Sequence, residues 1–186
     1  ATGASPIRLP VPGADLPSVR YLRSLEDARN LVESAKSAKN AFVVGSGFVG
    51  LEVAASLRAR GLNVGVIGKE SVPFETTLGP ELGGYLKALH EKNGVVFHLD
   101  RTLSRITENS VVLSDGKEHP VDLVVVGIGV KPSVDLAESA GLELGDGIRV
   151  DERLRTSDAS IFAAGDVANY PEPTTGERAR VEHWVL

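Results

Sequence analysis

Three glycines, Gly45, Gly47 and Gly50, stand in "AFVVGSGFVGLEVAASL" (41–57) between an apolar run and a helical pattern, with Phe48 and Val49 inside the loop they make. Glycine at the first place permits a tight turn, at the second a close approach of backbone to ligand, and at the third close packing of helix on strand. The amides that open the following helix attract an anion. That chemistry suits the pyrophosphate of a dinucleotide, and a structural glycine turn is the alternative. A strand before the loop, a helix after it and a second strand, "NVGVIG", within about 30 residues favour the dinucleotide.

At the end of the second strand an acid usually accepts hydrogen bonds from the adenosine ribose of NAD. Here the place is taken by Gly68, followed by Lys69 and Glu70. Glu70 could reach the ribose from the loop, Lys69 could pair with the 2′-phosphate of NADP as a point charge, or both could be solvated loop charges. The cofactor is therefore read as NAD(P)H, leaning to NADH. Glu52, near the start of the loop's helix, reads as a residue placed by the helix dipole. Gly127 and Gly129 in "GIGVKP" either line the crevice at the carboxyl ends of the strands or simply end a strand. Gly165 and Asp166 close "SIFAAGD", where the carboxylate can accept from sugar-like hydroxyls or cap a helix. Trp184 reads as a core or interface residue. The four histidines lack metal spacing and no Ser/His/Asp pattern occurs, so no catalytic or metal residue is assigned.

These residues must be positioned by strands and helices. "ATGASPIRLPVPGADLPSVR" (1–20), with four prolines, reads as an extended connector. A helix follows from Ser24, with Asp27 completing a capping box and Leu25, Ala28, Leu31, Val32 and Ala35 in helical spacing. The strand, glycine loop, helix and strand from Ala41 form one βαβ unit, with Gly61 closing its helix. A further helix opens at "GPEL", with Pro80 in its first turn and an apolar face of Leu82, Tyr85, Leu86 and Leu89, and Gly94 ends it before "VVFHL". "LSRIT", "SVVLS" and "KEHPV" around "NS" and "DG" turns make a three-stranded meander that returns to a parallel strand at 122–127. Ser133 caps a short helix to Ala140, "IRV" is a brief strand and "SIFAAGD" a buried one. The fold class is α/β: a Rossmann-like parallel sheet with a three-stranded antiparallel meander, sandwiched by helices.

Composition narrows the functions. The 186 residues suit one domain, or one domain and part of another. A net charge of −5 with scattered Lys and Arg gives no basic face for nucleic acid or anionic membrane. No run approaches the ~18 apolar residues of a membrane span and the N-terminus lacks a secretory pattern, which points to a cytoplasmic location. With no Cys there is no thiolate nucleophile, redox-active cysteine pair, or Cys-ligated metal.

Taken together, "ATG" (1–3), "VVGSGFVGLEVA" (43–54), "VVVGIGVKP" (124–132), "TSDASIFAAGDVA" (156–168) and "VEHW" (181–184) resemble the FAD-dependent pyridine-nucleotide-disulfide oxidoreductases. Order and spacing are similar to the ferredoxin-reductase and apoptosis-inducing-factor-like branch. The resemblance implies two nucleotide domains, one for FAD and an inserted one for NAD(P)H. It divides the chain into 1–40 (stub of the FAD domain, linker and lead-in helix), 41–155 (NAD(P)H-binding domain) and 156–186 (C-terminal stub of the FAD domain). Ala1, without a preceding Met, is then expected to be the edge of an excised domain, inactive alone.

By position, Gly45, Gly47, Phe48, Val49 and Gly50 would hold the NAD pyrophosphate. Glu52 would lie near the nicotinamide carboxamide and ribose, and Gly129 would line the nicotinamide pocket. Asp166 would accept from the flavin ribityl chain, and Trp184 would stand near the isoalloxazine of FAD in the full-length enzyme. The family passes hydride from NAD(P)H to FAD, then electrons to an iron-sulfur protein, ferredoxin or Rieske-type. The missing cysteines fit a branch that lacks the active-site disulfide. The rest of the FAD domain and the iron-sulfur acceptor are the implied partners, with no nucleic acid and no membrane. A non-catalytic nucleotide-sensing or interaction module, of apoptosis-inducing-factor-like type, is the alternative.

Overall fold

The computed structural model describes residues 1–181. In chain order it contains β1 (Ala4–Pro6), β2 (Val19–Tyr21), α1 (Leu25–Ser37), β3 (Asn40–Val44), α2 (Phe48–Ala59), β4 (Asn63–Ile67), α3 (Glu75–Lys92) and β5 (Val95–His98). There follow β6 (Leu103–Ile106), β7 (Ser110–Leu113), β8 (Glu118–Pro120), β9 (Leu123–Val126), β10 (Val130–Pro132), α4 (Asp135–Ser139), β11 (Leu144–Gly145) and β12 (Gly147–Arg149). A 3-10 turn, Gly165–Val167, leads to β13 (Ala168–Pro171) and β14 (Arg178–Ala179). Two compact units result: Pro6–Gly129, and Ala1–Ser5 together with the described residues from Val130 on.

The larger unit is built on a five-stranded sheet of order β2-β9-β3-β4-β5, parallel throughout. Alternate side chains of each strand face opposite layers. Ala41 and Val43 of β3, Val64 and Val66 of β4, and Leu123 and Val125 of β9 meet Leu31 and Ala35 of α1 and Leu51, Ala54 and Leu57 of α2. Phe42, Val44, Ile67, Val124 and Val126 point the other way, onto Leu103, Ile106, Val111 and Leu113 of the antiparallel meander β6-β7-β8. Helices therefore cover one face and the meander the other. Val43, Val66, Val111 and Val124 are fully buried; burying a Val side chain stabilises by about 1.5 to 3 kcal/mol. From β3 the chain crosses through α2 to β4 on one side, and β9 lies on the other. The gap between β3 and β9 is thus the switch point where such sheets bind ligands, beyond the strands' carboxyl ends.

Local chemistry explains the helix starts. Ser24 Oγ accepts from the Asp27 amide at 3.1 Å while the Asp27 carboxylate accepts from the Ser24 amide at 2.8 Å, the capping box that the sequence announces. Gly61, at φ +89°, takes the left-handed position after α2. The proline-rich start is more ordered than an extended connector. Its proline-free end, Val19–Tyr21, has its amides available and joins β9 as a parallel edge strand.

The helix expected at Pro80 begins earlier, at Glu75, and is interrupted at Gly79 (φ +79°, ψ 168°). The residue before a proline is crowded out of the helical region, which accounts for the break. The expected apolar face is also displaced: Leu82, Tyr85 and Leu89 are 44, 66 and 44% exposed. Leu86 packs on the core, and Gly83 is buried so closely that a Cβ there would lie 2.3 Å from the Pro73 carbonyl oxygen. That close approach turns the Gly83 side inward.

In the smaller unit β1 pairs with β10, and β11-β12-β13-β14 form a second sheet. Ala137, Ile148, Val150, Ala163, Val167 and Ala168 make its core, and the described residues from Val130 on belong to this unit. Two local expectations fail. The cap of α4 is Val134 without a side-chain hydrogen bond, because the Ser133 hydroxyl faces Ser5 Oγ at 3.4 Å instead. "SIFAAGD" is not a buried strand: Ile161 and Phe162 are exposed, and Phe162 makes one isolated bridge to Arg155. A single bridge with no ladder beyond it leaves the segment as loop. No helix among the described residues is long and apolar enough to cross a membrane.

Candidate functional site

The glycine loop leaves β3 at the switch point, and each glycine there has its own reason. Gly45 has φ +115°, and a Cβ on it would meet the Gly127 carbonyl oxygen at 2.2 Å. A Cβ on Gly50 would meet the Gly45 carbonyl oxygen at 2.0 Å. Gly127 completes the set, since its own Cβ position is 3.3 Å from the Gly50 amide nitrogen. The exits of β3 and β9 and the first turn of α2 are thus held in backbone contact; Gly127 N–H donates to Val44 O between β9 and β3, and Gly45 N–H to Ile67 O between β3 and β4, both at 2.8 Å.

Gly47 differs from its neighbours. It is the N-cap of α2, has no side chain with which to cap it, and a Cβ there would meet nothing within 4 Å. The helix begins at Phe48 with Val49 next, and no acidic side chain lies in its first turn. Its opening amides are therefore left to an outside acceptor, with the positive end of the helix dipole behind them. Glu52, read from sequence as a first-turn acid, lies one step beyond that turn, exposed. It borders a hollow of about 300 Å³ whose other walls include Phe48, Leu51, Phe74, Leu78 and His90. The rings of Phe48 and Phe74 lie 4.5 Å apart there. Burial holds the His90 imidazole below its ordinary pKa.

At the end of β4, Gly68 is buried, Lys69 exposed and Glu70 half-buried. This corner is fixed by β5 and the residues after it: Gly68 N–H donates to His98 O at 3.3 Å, Arg101 N–H to Gly68 O at 3.1 Å, and Asp100 N–H to Glu70 O at 3.1 Å. Glu70 turns back toward the glycine loop, where its Oε2 accepts from Ser46 Oγ at 2.9 Å. Ser46 is 4% exposed and went unassigned in the sequence reading. Its signal was a lone hydroxyl between loop glycines, facing a glycine where an acid is usual. Gly129, at φ +105°, receives the Ile7 amide on its carbonyl at 3.0 Å.

The structure therefore brings Gly45, Gly47, Phe48, Val49, Gly50, Gly68, Glu70 and Gly127 to the carboxyl end of one sheet, with Lys69 on its solvent side. Gly165 and Asp166 belong to the other unit, in the 3-10 turn whose N-cap is Ala164, so Asp166 is not the cap. The Asp166 carbonyl accepts from Arg180 Nη1 at 3.3 Å. Trp184 lies outside the described residues. Among the described residues no three His, Cys, Asp or Glu side chains gather as a metal site.

Comparison with known proteins places this geometry. The chain is 42% identical over 187 residues to rhodocoxin reductase of Rhodococcus erythropolis, covering 98% of this chain and 44% of that protein. A ferredoxin reductase structure from Rhodopseudomonas palustris superposes with a TM-score of 0.95 at 42% identity, over 98% of this chain and 46% of that one. The covalent putidaredoxin reductase–putidaredoxin complex matches with a TM-score of 0.93 at 32% identity, again over 98% and 46%. The chain thus spans somewhat less than half the length of these relatives. The family model described as pyridine nucleotide-disulphide oxidoreductase matches residues 1–184, and the chain belongs to that family.

Proposed function

We propose that this chain is the NAD(P)H-binding part of a flavin-dependent reductase of the ferredoxin-reductase type. In this reading NAD(P)H supplies a hydride to FAD, and the electrons go on to an iron-sulfur protein. The observation that carries it is the uncapped start of α2 at the sheet's switch point, where Gly47 makes no side-chain cap hydrogen bond and a Cβ on it would meet nothing within 4 Å. Relatives named as ferredoxin, rubredoxin and rhodocoxin reductases support the electron acceptor, and the putidaredoxin complex supports a docked iron-sulfur partner.

The residues divide the work. Gly45 and Gly50 set the loop's path, and the amides of Phe48 and Val49 bind the pyrophosphate. Gly68, Lys69 and Glu70 frame the adenosine ribose. Glu52 and Gly129 orient the nicotinamide. Gly165, Asp166 and Trp184 contribute to a flavin site that the remainder of a full-length reductase completes. In this reading the nucleotide domain, expected over 41–155, is carried by the unit Pro6–Gly129, and the residues from Val130 on lie in the unit that holds the flavin-side residues. Hydride transfer between cofactors needs no acid or base from the protein, so orientation and exclusion of water are what the chain provides.

Calorimetric titration of the purified chain with NADH, NADPH and FAD separately tests the proposal. Binding of a nicotinamide dinucleotide, competed by pyrophosphate-containing analogues, is the expected result. Heat from neither nicotinamide cofactor would sink it.

A further inference from the structure

Three rings meet where the edge of the parallel sheet lies against the meander. Phe42, buried on β3, stacks on His98 at the end of β5, with centroids 5.2 Å apart and planes at 27°. His119 of β8 closes the set, its ring 4.5 Å from that of His98, edge to face, and 5.6 Å from that of Phe42. The two imidazoles belong to different sheets, so their contact fastens the end of β5 to β8. His119 Nε2 is buried and has no hydrogen-bond partner among the described residues. A nitrogen so placed suits a neutral ring, because an imidazolium carries a donor on each nitrogen.

The charges around His98 favour the same state. Arg101 follows β5, Lys117 precedes β8, and Asp115 is the carboxylate that acts on His98 with them. Asp115 Oδ2 already accepts from Arg101 Nε at 2.8 Å and lies 3.8 Å from Lys117 Nζ. Glu118, next to His119, accepts from the Ser110 hydroxyl instead, and Phe42 brings no charge from β3. Burial first, then the His119 ring and the two cations, hold the His98 imidazole below its ordinary pKa of about 6.5, against the opposing pull of Asp115.

His98 also carries part of the frame of the candidate site. Its carbonyl accepts from the Gly68 amide at 3.3 Å, and the Arg101 amide donates to Gly68 O at 3.1 Å, so the corner after β4 hangs on the end of β5. We propose that the His98–His119 contact is an acid-released clasp: while both rings are neutral it holds the meander on the sheet edge and the Gly68 corner in place, and protonation loosens both. The stability it contributes is fully present above the unfolded value of about 6.5 and is lost as pH falls through the lower folded one. Its effect on ligand binding rests on the dinucleotide reading of the site.

The test compares the unaltered chain with His98→Phe, which keeps a ring on Phe42 and removes the titrating group, and with His90→Phe, which removes another histidine whose pKa burial depresses. Between pH 7.5 and 5.5, above the range of about 4 where carboxylates take up protons, the thermal midpoint of the unaltered chain falls by about 2 to 4 °C. The fall shrinks in His98→Phe and stays larger in His90→Phe. Over the same interval the NADH dissociation constant of the unaltered chain rises about threefold, as when the competent fraction drops to one third, and rises less in His98→Phe. A midpoint that falls as far in His98→Phe as in the unaltered chain overturns the clasp. So does a His98 imidazole of the unaltered chain that titrates at or above about 6.5 by NMR, a measurement that stands even where the variant fails to fold. NADH affinity independent of pH overturns the link to the Gly68 corner. Binding of neither nicotinamide cofactor at either pH sinks the dinucleotide reading, and the midpoints still decide the clasp.

Discussion

The two ends of the parallel sheet treat their polar groups in opposite ways. At the amino end the chain satisfies itself: Asp122 Oδ2 accepts from the amides of Lys39 and Asn40 at 2.9 and 2.8 Å. The Asp122 amide returns a bond to Asn40 O at 2.9 Å, and Asn63 Nδ2 donates to Asn40 Oδ1 at 3.0 Å. At the carboxyl end the strands are tied by backbone bonds, yet α2 starts on a glycine with no capping side chain. One end is closed by its own carboxylate, and the other opens on a helix start that no side chain caps. The difference separates what holds β3 and β9 together from what they are held together for.

The strongest way to break the contrast is to fill the open end. Gly45→Ala forces a Cβ to 2.2 Å from the Gly127 carbonyl oxygen at a φ of +115°. Backbone strain and overpacking of this kind each cost about 1 to 3 kcal/mol, so a loss of roughly 3 kcal/mol is expected in urea unfolding followed by far-ultraviolet circular dichroism. Dinucleotide affinity falls with it, because the loop path and the opening turn of α2 move together. A variant as stable as the parent would mean that the β3 and β9 exits are not locked through this glycine.

How much of this could be read from the sequence depends on how local the cause is. The βαβ unit, the capping box at Ser24 and Asp27, the meander and the glycine loop are written in short-range spacing, and the structure has each of them. Apart from the break at Gly79, set by the adjacent Pro80, what failed was set by neighbours outside the local spacing. Val19–Tyr21 is a strand because β9 lies beside it. Leu82, Tyr85 and Leu89 look like a buried face until Gly83 brings the other side of the helix against Pro73. The Ser46–Glu70 contact joins two loops 24 residues apart, and no spacing rule announces it. The site's glycines were legible, and the side-chain contact across it was not.

The closed end gives a smaller effect that should leave binding untouched. Asp122→Asn keeps the shape but removes the charge from two backbone hydrogen bonds; since the side chain is largely exposed, a loss of about 1 kcal/mol is expected. NADH affinity should stay at the parent value, and a change in it would show that the two ends communicate through β9. The pH dependence has a definite sign. The amides of Asn40 and Lys39 hold the folded Asp122 carboxyl below its ordinary pKa. Folding therefore gains stability from the ionised form above the unfolded value of about 4, and loses it as pH falls through the folded one. Acid titration of the Asn variant should be shallower in that window.

The smallest expected effect concerns Lys69, which sits at the open end but on its solvent side. A lysine there is a point charge within reach of a 2′-phosphate, so Lys69→Ala should weaken NADPH by a few-fold and NADH by less, as exposed ion pairs are worth about 0.2 to 1 kcal/mol. The effect should disappear as ionic strength rises from 10 mM to 0.5 M, because the Debye length drops well below the separation of solvated charges. Glu70 should behave otherwise, since its carboxylate is half-buried and fixed by Ser46. If the Lys69 variant altered selectivity more than Glu70→Gln, and did so at high salt, the deciding charge at this end would be the exposed lysine. The contrast between a fixed carboxylate and an exposed cation would then have to be reversed.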